Sequence, residues 1–204
     1  MKDGYTHVGL VLDASGSMDD IADDIRGSLR SFAKEQLALK EPDETISLDA
    51  WQFSNSVDHF VCNAPLETYD PSGYRCGGST ALYDAICVAI DELGRQFAAM
   101  PEEERPEDVV FVIATDGYEN ASRMFGPADV RERIDRQTKV YNWKFVFLAS
   151  NIDVEEVGEE LGIKERVALE PACFVEEMAC EMRSMQDRVR RERRERRNDR
   201  NRPK

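Results

Sequence analysis

The sequence lacks any apolar run near the roughly 20 residues that a bilayer-spanning helix needs, so no membrane span is expected. Histidine is scarce. His7 and His59 are the only two, neither belongs to a ligand cluster, and no catalytic Cys/His pair is visible. Cys62, Cys76, Cys87, Cys173 and Cys180 form no Cys-x-x-Cys pair and are odd in number. Reduced thiols and a cytoplasmic location are expected from that usage, with one bridge left open. Met-Lys-Asp-Gly-Tyr-Thr-His leads directly toward the first apolar run, so no secretory leader is expected.

Charge is abundant and unevenly placed. The 204 residues carry a net charge of −14, with 33% charged and 41% hydrophobic residues, a balance that suits one well-solvated globular domain plus an appendage. From Arg183 to Lys204 there are 11 basic and 4 acidic residues, whereas the rest of the chain holds 16 basic and 37 acidic. The expected division is a body over residues 1–182, including a C-terminal packing helix, and a basic Arg-rich tail over 183–204, either a helical extension or disordered. An acidic body repels phosphates, so nucleic acid is expected only through the tail. That tail lacks aromatic residues for stacking, and its Glu residues dilute the charge, so a solvated segment is the plain expectation.

Periodicity organises the body. Val8–Leu12 reads as a central strand and Asp19 to about Lys40 as a helix. Thr45–Phe53 reads as a second strand, with Val57–Asn63 returning antiparallel at the edge. A long Pro- and Gly-broken loop over 65–79 leads to a helix over Thr80–Ala99. Asp108–Thr115, the most apolar run, predicts another central strand. A helix from Pro127, a strand over Lys144–Leu148, a short helix over Val154–Leu161 and an edge strand near Val167–Leu169 follow. A last helix is expected from Pro171 to about Val189. Strands alternating with helices predict an α/β fold: a doubly wound, mostly parallel sheet with one antiparallel edge strand and helices on both faces.

Three loops then carry the chemistry. Val8-Gly-Leu-Val-Leu-Asp13-Ala-Ser15-Gly-Ser17 ends a strand in one carboxylate and two alternate hydroxyls. Gly77-Gly78-Ser79-Thr80 opens a helix, and Thr115-Asp116-Gly117 ends a second buried strand. In a doubly wound sheet the carboxyl ends of the strands form the binding edge, so all three loops can reach one ion. Hydroxyls and carboxylates without His or Cys make a hard-oxygen set suited to Mg²⁺ or Mn²⁺. Plainer roles stand beside this one. Thr80 and Ser17 could cap their helices, and Asp116-Gly117 could be an ordinary turn.

The Asp-x-Ser-x-Ser, Thr and Asp-Gly elements together resemble the metal-ion-dependent adhesion site of von Willebrand factor A (vWA) domains. Pro101-Glu102-Glu103-Glu104-Arg105-Pro106, Glu119-Asn120-Ala121-Ser122-Arg123 and Asn142-Trp143-Lys144-Phe145 through Asn151 are similar to small stand-alone vWA proteins of bacteria and phages. The likeness runs from about Tyr5 to about Leu169. It implies a vWA fold with Asp13, Ser15, Ser17, Thr80 and Asp116 as metal ligands, direct or through water. Glu119, Asn120 and Gly78 would form a partner-binding rim.

What the resemblance implies is a metal-dependent protein-interaction module, not an enzyme, that takes a Glu or Asp of a protein partner onto Mg²⁺ (or Mn²⁺). An intracellular adaptor or an assembly or regulatory factor is the expected setting. The alternative is a nucleic-acid-associated adaptor acting through the basic tail. A Mg²⁺-dependent hydrolase using the same aspartates is disfavoured, because Asp-Ala-Ser lacks the Asp-x-Asp of haloacid-dehalogenase phosphatases and no general base is positioned by the sequence.

Overall fold

The computed structural model describes residues 1–200. Six strands form one sheet: β1 (Lys2–Asp13), β2 (Thr45–Phe53), β3 (Val57–Pro65), β4 (Pro106–Thr115), β5 (Lys144–Ala149) and β6 (Glu165–Ala168), in the order β3-β2-β1-β4-β5-β6. Every pairing is parallel except β2 with β3, the antiparallel edge. This is the doubly wound α/β architecture expected.

Alternation along each strand divides the core into two layers. Val8, Leu10 and Leu12 of β1 face the layer covered by α1 (Ala22–Leu39) and α5 (Phe174–Arg200). Val11, with Phe111 and Ile113 of β4, faces α2 (Leu82–Ala99), α3 (Pro127–Tyr141) and α4 (Val154–Leu161). The central strands are apolar on both sides because helices cover both sides.

β1 begins six residues earlier than the apolar run suggests. Thr6 and His7 are fully buried. Ser47 on β2 stands 2.7 Å from both the His7 Nδ1 and the Tyr5 hydroxyl. Polar residues that bond across the sheet are strand residues hidden from hydropathy. The first helix also starts later than Asp19, because a 3₁₀ turn over Gly16–Ile21 intervenes before α1.

The largest difference lies at the C-terminus. α5 continues without a break from Phe174 to Arg200, past Val189, near which the last helix was expected to end. Its apolar stripe of Met178, Met182, Met185 and Val189 is prolonged by two buried arginines, Arg190 and Arg193. Arg193 reaches Glu44 at 3.3 Å and Asp108 at 3.0 Å, and Arg190 reaches Glu44 at 3.3 Å. Arg194, Arg196 and Arg197 pair with Glu41, Glu107, Asp108, Asp3 and Asp43 around them. Buried acids at the amino ends of β2 and β4, Glu44 and Asp108, hold this half of the helix, and they are invisible to a count of charges along the chain. Residues 201–204 of the expected tail lie outside the described residues. Among the described residues all five cysteines are free, and no helix is long and apolar enough to cross a membrane.

Candidate metal centre

β1 and β4 lie side by side, with Leu12 opposite Ala114. The chain leaves β1 toward β2 and leaves β4 toward β5, so the connections diverge and open a crevice at the strands' carboxyl ends. Asp13 is the last residue of β1, and Asp116 follows the last residue of β4.

Asp13 is 1% exposed and both of its oxygens are in use. Oδ1 accepts the Ser15 N–H at 2.7 Å, and Oδ2 accepts the Thr115 hydroxyl at 2.6 Å. The hydroxyl of buried Tyr74 donates to the Asp13 carbonyl, fixing the backbone from behind. Burial pushes the Asp13 carboxyl up from its ordinary value, further than the bonds from Thr115 and Ser15 draw it down, and the Asp116 charge adds to the rise. The string thus has a carboxylate at each end, Asp13 and Asp116.

The hydroxyls continue outward from Asp13. Ser15 Oγ lies 3.0 Å from Ser17 Oγ, and Ser17 Oγ donates to Asp116 Oδ1 at 2.8 Å. Asp13, Ser15, Ser17 and Asp116 therefore form one hydrogen-bonded string running from the buried strand end to the surface. Neither serine caps the helix that follows: the 3₁₀ turn and α1 have no side-chain cap.

The Thr80 loop is stitched to this string through its backbone. Gly16 N–H donates to the Gly78 carbonyl at 3.0 Å, and Gly77 N–H to the Ala14 carbonyl at 2.8 Å. Gly77 and Gly78 have φ of 146° and 91°, and a Cβ on Gly78 would lie 2.7 Å from Asn55 Nδ2. Gly16 and Gly117 have no positive φ. Buried Thr80 is held by Asn120 Oδ1, which accepts its N–H at 2.9 Å, while its carbonyl accepts the N–H groups of Asn120 and Ala121.

Thr80 does not cap α2, which starts at Leu82 with no side-chain cap from Ala81. Glu119 and Ser122 serve the first turn instead, accepting the N–H groups of Tyr83 and Asp84 at 3.0 Å each. Glu119 also accepts from the N–H groups of Ala121 and Ser122 and from the Ser122 hydroxyl. Asp84 returns the favour, binding the N–H groups of Arg123, Met124 and Phe125. The structure thus places Glu119 and Asn120 on the rim as braces of their own loop, with Gly78 exposed beside them.

Thr115, Tyr74, Asp84 and Ser122 were not singled out as site supports by sequence reasoning. Thr115 had a usable signal, a hydroxyl directly before Asp116. Tyr74 had none, since its role depends on where the 65–79 loop folds. Arg75 turns back onto the carbonyls of Ser72 and Tyr74.

Among the described residues no group of three or more His, Cys, Asp or Glu is placed to hold a metal. The donors here are two carboxylates and three hydroxyl-bearing residues, a set that fits a hard cation such as Mg²⁺ or Mn²⁺ and does not fit Zn²⁺.

The structure is similar to several solved ones. A von Willebrand factor type A protein from Catenulispora acidiphila matches 89% of this chain and 42% of its own at 13% identity, with a TM-score of 0.58. The PilB minor pilin from Streptococcus sanguinis matches 91% of this chain and 62% of its own at 13% identity, TM-score 0.59. The ArnB paralog VWA2 from Sulfolobus acidocaldarius matches 87% and 44% at 14% identity, TM-score 0.54. The chain spans roughly half the length of these structures. No protein-family model matches the sequence, and no curated protein does. Likeness at such identities is a likeness of fold, and the fold is vWA-like.

Proposed function

We propose, taking the vWA-like fold as the frame, that this chain is a cation-dependent protein-interaction module and not an enzyme. The observation that carries the reading is the string from Asp13 through Ser15 and Ser17 to Asp116, in which neither serine is spent on capping a helix. Ser15, Ser17, Thr80 and Asp116 are the residues that would hold Mg²⁺ or Mn²⁺. Asp13 acts behind them, orienting Ser15 through its N–H and keeping negative charge beneath the site. When bound, the ion supplies an electrophilic centre for a Glu or Asp carboxylate of a partner protein.

The supporting residues divide the labour. Thr115 and Tyr74 hold Asp13, Gly77 and Gly78 bring the Thr80 loop against the serines, and Glu119 and Asn120 keep the third loop closed on it. Buried Asp13 already accepts two bonds, an arrangement that suits an orienting group better than a general base. Five free cysteines support a cytoplasmic setting, and an adaptor or an assembly or regulatory factor suits such a module.

Nucleic-acid binding through the C-terminal arginines has less support, because Arg190, Arg193, Arg194, Arg196 and Arg197 already pair with acids of the body. The test is calorimetric titration with Mg²⁺ and Mn²⁺, followed by capture from lysate in Mg²⁺ and in EDTA. Binding lost in Ser15→Ala and Ser17→Ala, with partners retained only in Mg²⁺, supports the proposal. Ion binding unchanged in both variants overturns it.

A further inference from the structure

At the opposite pole of the sheet, where β4 and β5 begin, a cleft of about 350 Å³ opens between α2 and α3. Its floor is aromatic and fixed. Trp143 packs edge-on against Phe97 at 5.9 Å and stacks on Phe111 at 6.3 Å. Tyr141, 51% exposed at the end of α3, stands on the lip. Gly94 and Ala98 leave the α2 wall low.

The charges on this lip are not balanced. The two acids that line it are already paired. Asp91 is held by both arms of Arg133 at 3.0 Å, and Glu107 lies within 3.4 Å of Arg193 and Arg196. Arg105 spends its guanidinium on the Met100 and Ala98 carbonyls. Arg95 and Arg136 are exposed and make no ion pair among the described residues. A chain with a net charge of −14 therefore presents, around an apolar floor, two guanidinium groups without ion pairs among the described residues, Arg95 giving only its Nε to the Asp91 carbonyl, while both carboxylates that line the cleft are paired.

We infer that this cleft docks a short acidic segment of a partner protein, with an apolar side chain seated on Trp143 and Phe97 and flanking carboxylates on Arg95 and Arg136. Shape favours a chain segment over a compact ligand. A second hollow shares Glu107 and Trp143 with the cleft and is bordered further by Asp108, Thr138, Asn142, Lys144, Glu192 and Arg196. Charge favours a short acidic peptide over nucleic acid. Two arginines can meet two or three carboxylates, whereas a long polyanion would run onto a body with 37 acidic and 16 basic residues before Arg183. An apolar anchor between guanidinium–carboxylate pairs is a common way for a groove to hold a peptide.

This docking is independent of the cation site, since the two lie at opposite ends of the strands. With both in use, one module would join two proteins.

The test uses the full chain, ¹⁵N-labelled, titrated with pooled short peptides in which Asp and Glu alternate with Leu, Phe and Met. The expected result is amide shifts at Gly94, Arg95, Ala98 and Gln137 and a shift of the Trp143 indole. Arg95→Glu with Arg136→Glu, both at exposed positions, should weaken binding at least about tenfold. EDTA and Ser17→Ala should leave it unchanged, so failure here and failure of the cation reading are separable. The inference is overturned if the cleft shows no shifts, or if peptides with Ser in place of the apolar residues bind equally. It is also overturned if single-stranded DNA displaces the peptides from these residues, or if light scattering shows a dimer closed over the cleft.

Discussion

Ser17 Oγ donates to Asp116 Oδ1 at 2.8 Å, joining two residues 99 positions apart in the chain. Ser17 is exposed and Asp13 is buried, so the two ends of the string should respond differently to removal. Ser17→Ala should change stability by no more than about 0.5 kcal/mol. Asp13→Ala should cost about 1–3 kcal/mol for each of the two donors it strands, the Ser15 N–H and the Thr115 hydroxyl. Thermal unfolding with and without Mg²⁺ separates stability from ion binding. Wild type should melt higher with Mg²⁺, and Ser17→Ala should lose that increment at nearly unchanged basal Tm. A full Mg²⁺ increment in Ser17→Ala would remove that serine from the site.

The glycines predict a second contrast. Gly78→Ala would strain a residue at φ 91° and drive its Cβ into Asn55, whose Oδ1 holds the Ser79 N–H. The Thr80 loop should shift away from Gly16, lowering Mg²⁺ affinity. Gly117→Ala meets nothing within 4 Å and has no positive φ, so it should bind as wild type does. Calorimetry on the two variants checks this, and equal affinities would sink it.

The fold was readable where burial is apolar and hidden where burial is polar. Val8–Leu12 and Val109–Ala114 announce two central strands, and turn residues mark their ends. Thr6, His7 and Asp49 are equally buried but carry polar groups, so the first half of β1 and its bonds to β2 leave no hydropathic trace. Arg190 and Arg193 mislead more strongly. In sequence they belong to a basic run, and only the folded chain brings Glu44 and Asp108 to them. At the site, the spacing of Asp13, Ser15 and Ser17 is local and therefore legible. That Glu119 is consumed in bracing α2 is not, because its partners lie 36 residues away and in its own turn.

Arg193 supplies the third prediction. It is 5% exposed and serves Glu44, Asp108 and the Gly4 carbonyl together. Arg193→Ala removes the cation that these two buried carboxylates share, leaving Glu44 to Arg190 and Asp108 to Arg196, and should cost about 1–3 kcal/mol. Arg194, whose side chain is 66% exposed in its pair with Glu41, should contribute no more than about 1 kcal/mol when replaced. Urea unfolding of the two variants gives the comparison. Similar small losses would mean that α5 is not clasped by its buried arginine.

Asp49 makes the last prediction, in pH. Its carboxylate is fully buried between two histidines: His59 Nε2 lies 2.6 Å from Oδ1, and His7 Nε2 lies 3.0 Å from Oδ2 as a charge contact outside hydrogen-bond alignment. Asn63 N–H adds a bond at 3.0 Å, and Glu92 and Trp51 close the far side of His59. Burial alone would push this carboxyl up, but the contacts from His59 and His7 and the Asn63 N–H together hold it well below the ordinary carboxylate range. A depressed folded value means that the unfolded chain takes up the proton first as pH falls. The contribution of Asp49 is therefore complete at neutral pH, begins to fade near the ordinary Asp value of about 3.9, and is lost as pH falls through the folded value. Asp49→Asn should be less stable at neutral pH, by about 1–3 kcal/mol for the buried hydrogen-bond partners it leaves poorly matched. Its stability should fall less steeply than wild type in acid, so that the two curves converge. Urea unfolding across neutral and acid pH measures the gap directly, and a gap that stays constant into acid would show that the histidines do not hold the Asp49 charge.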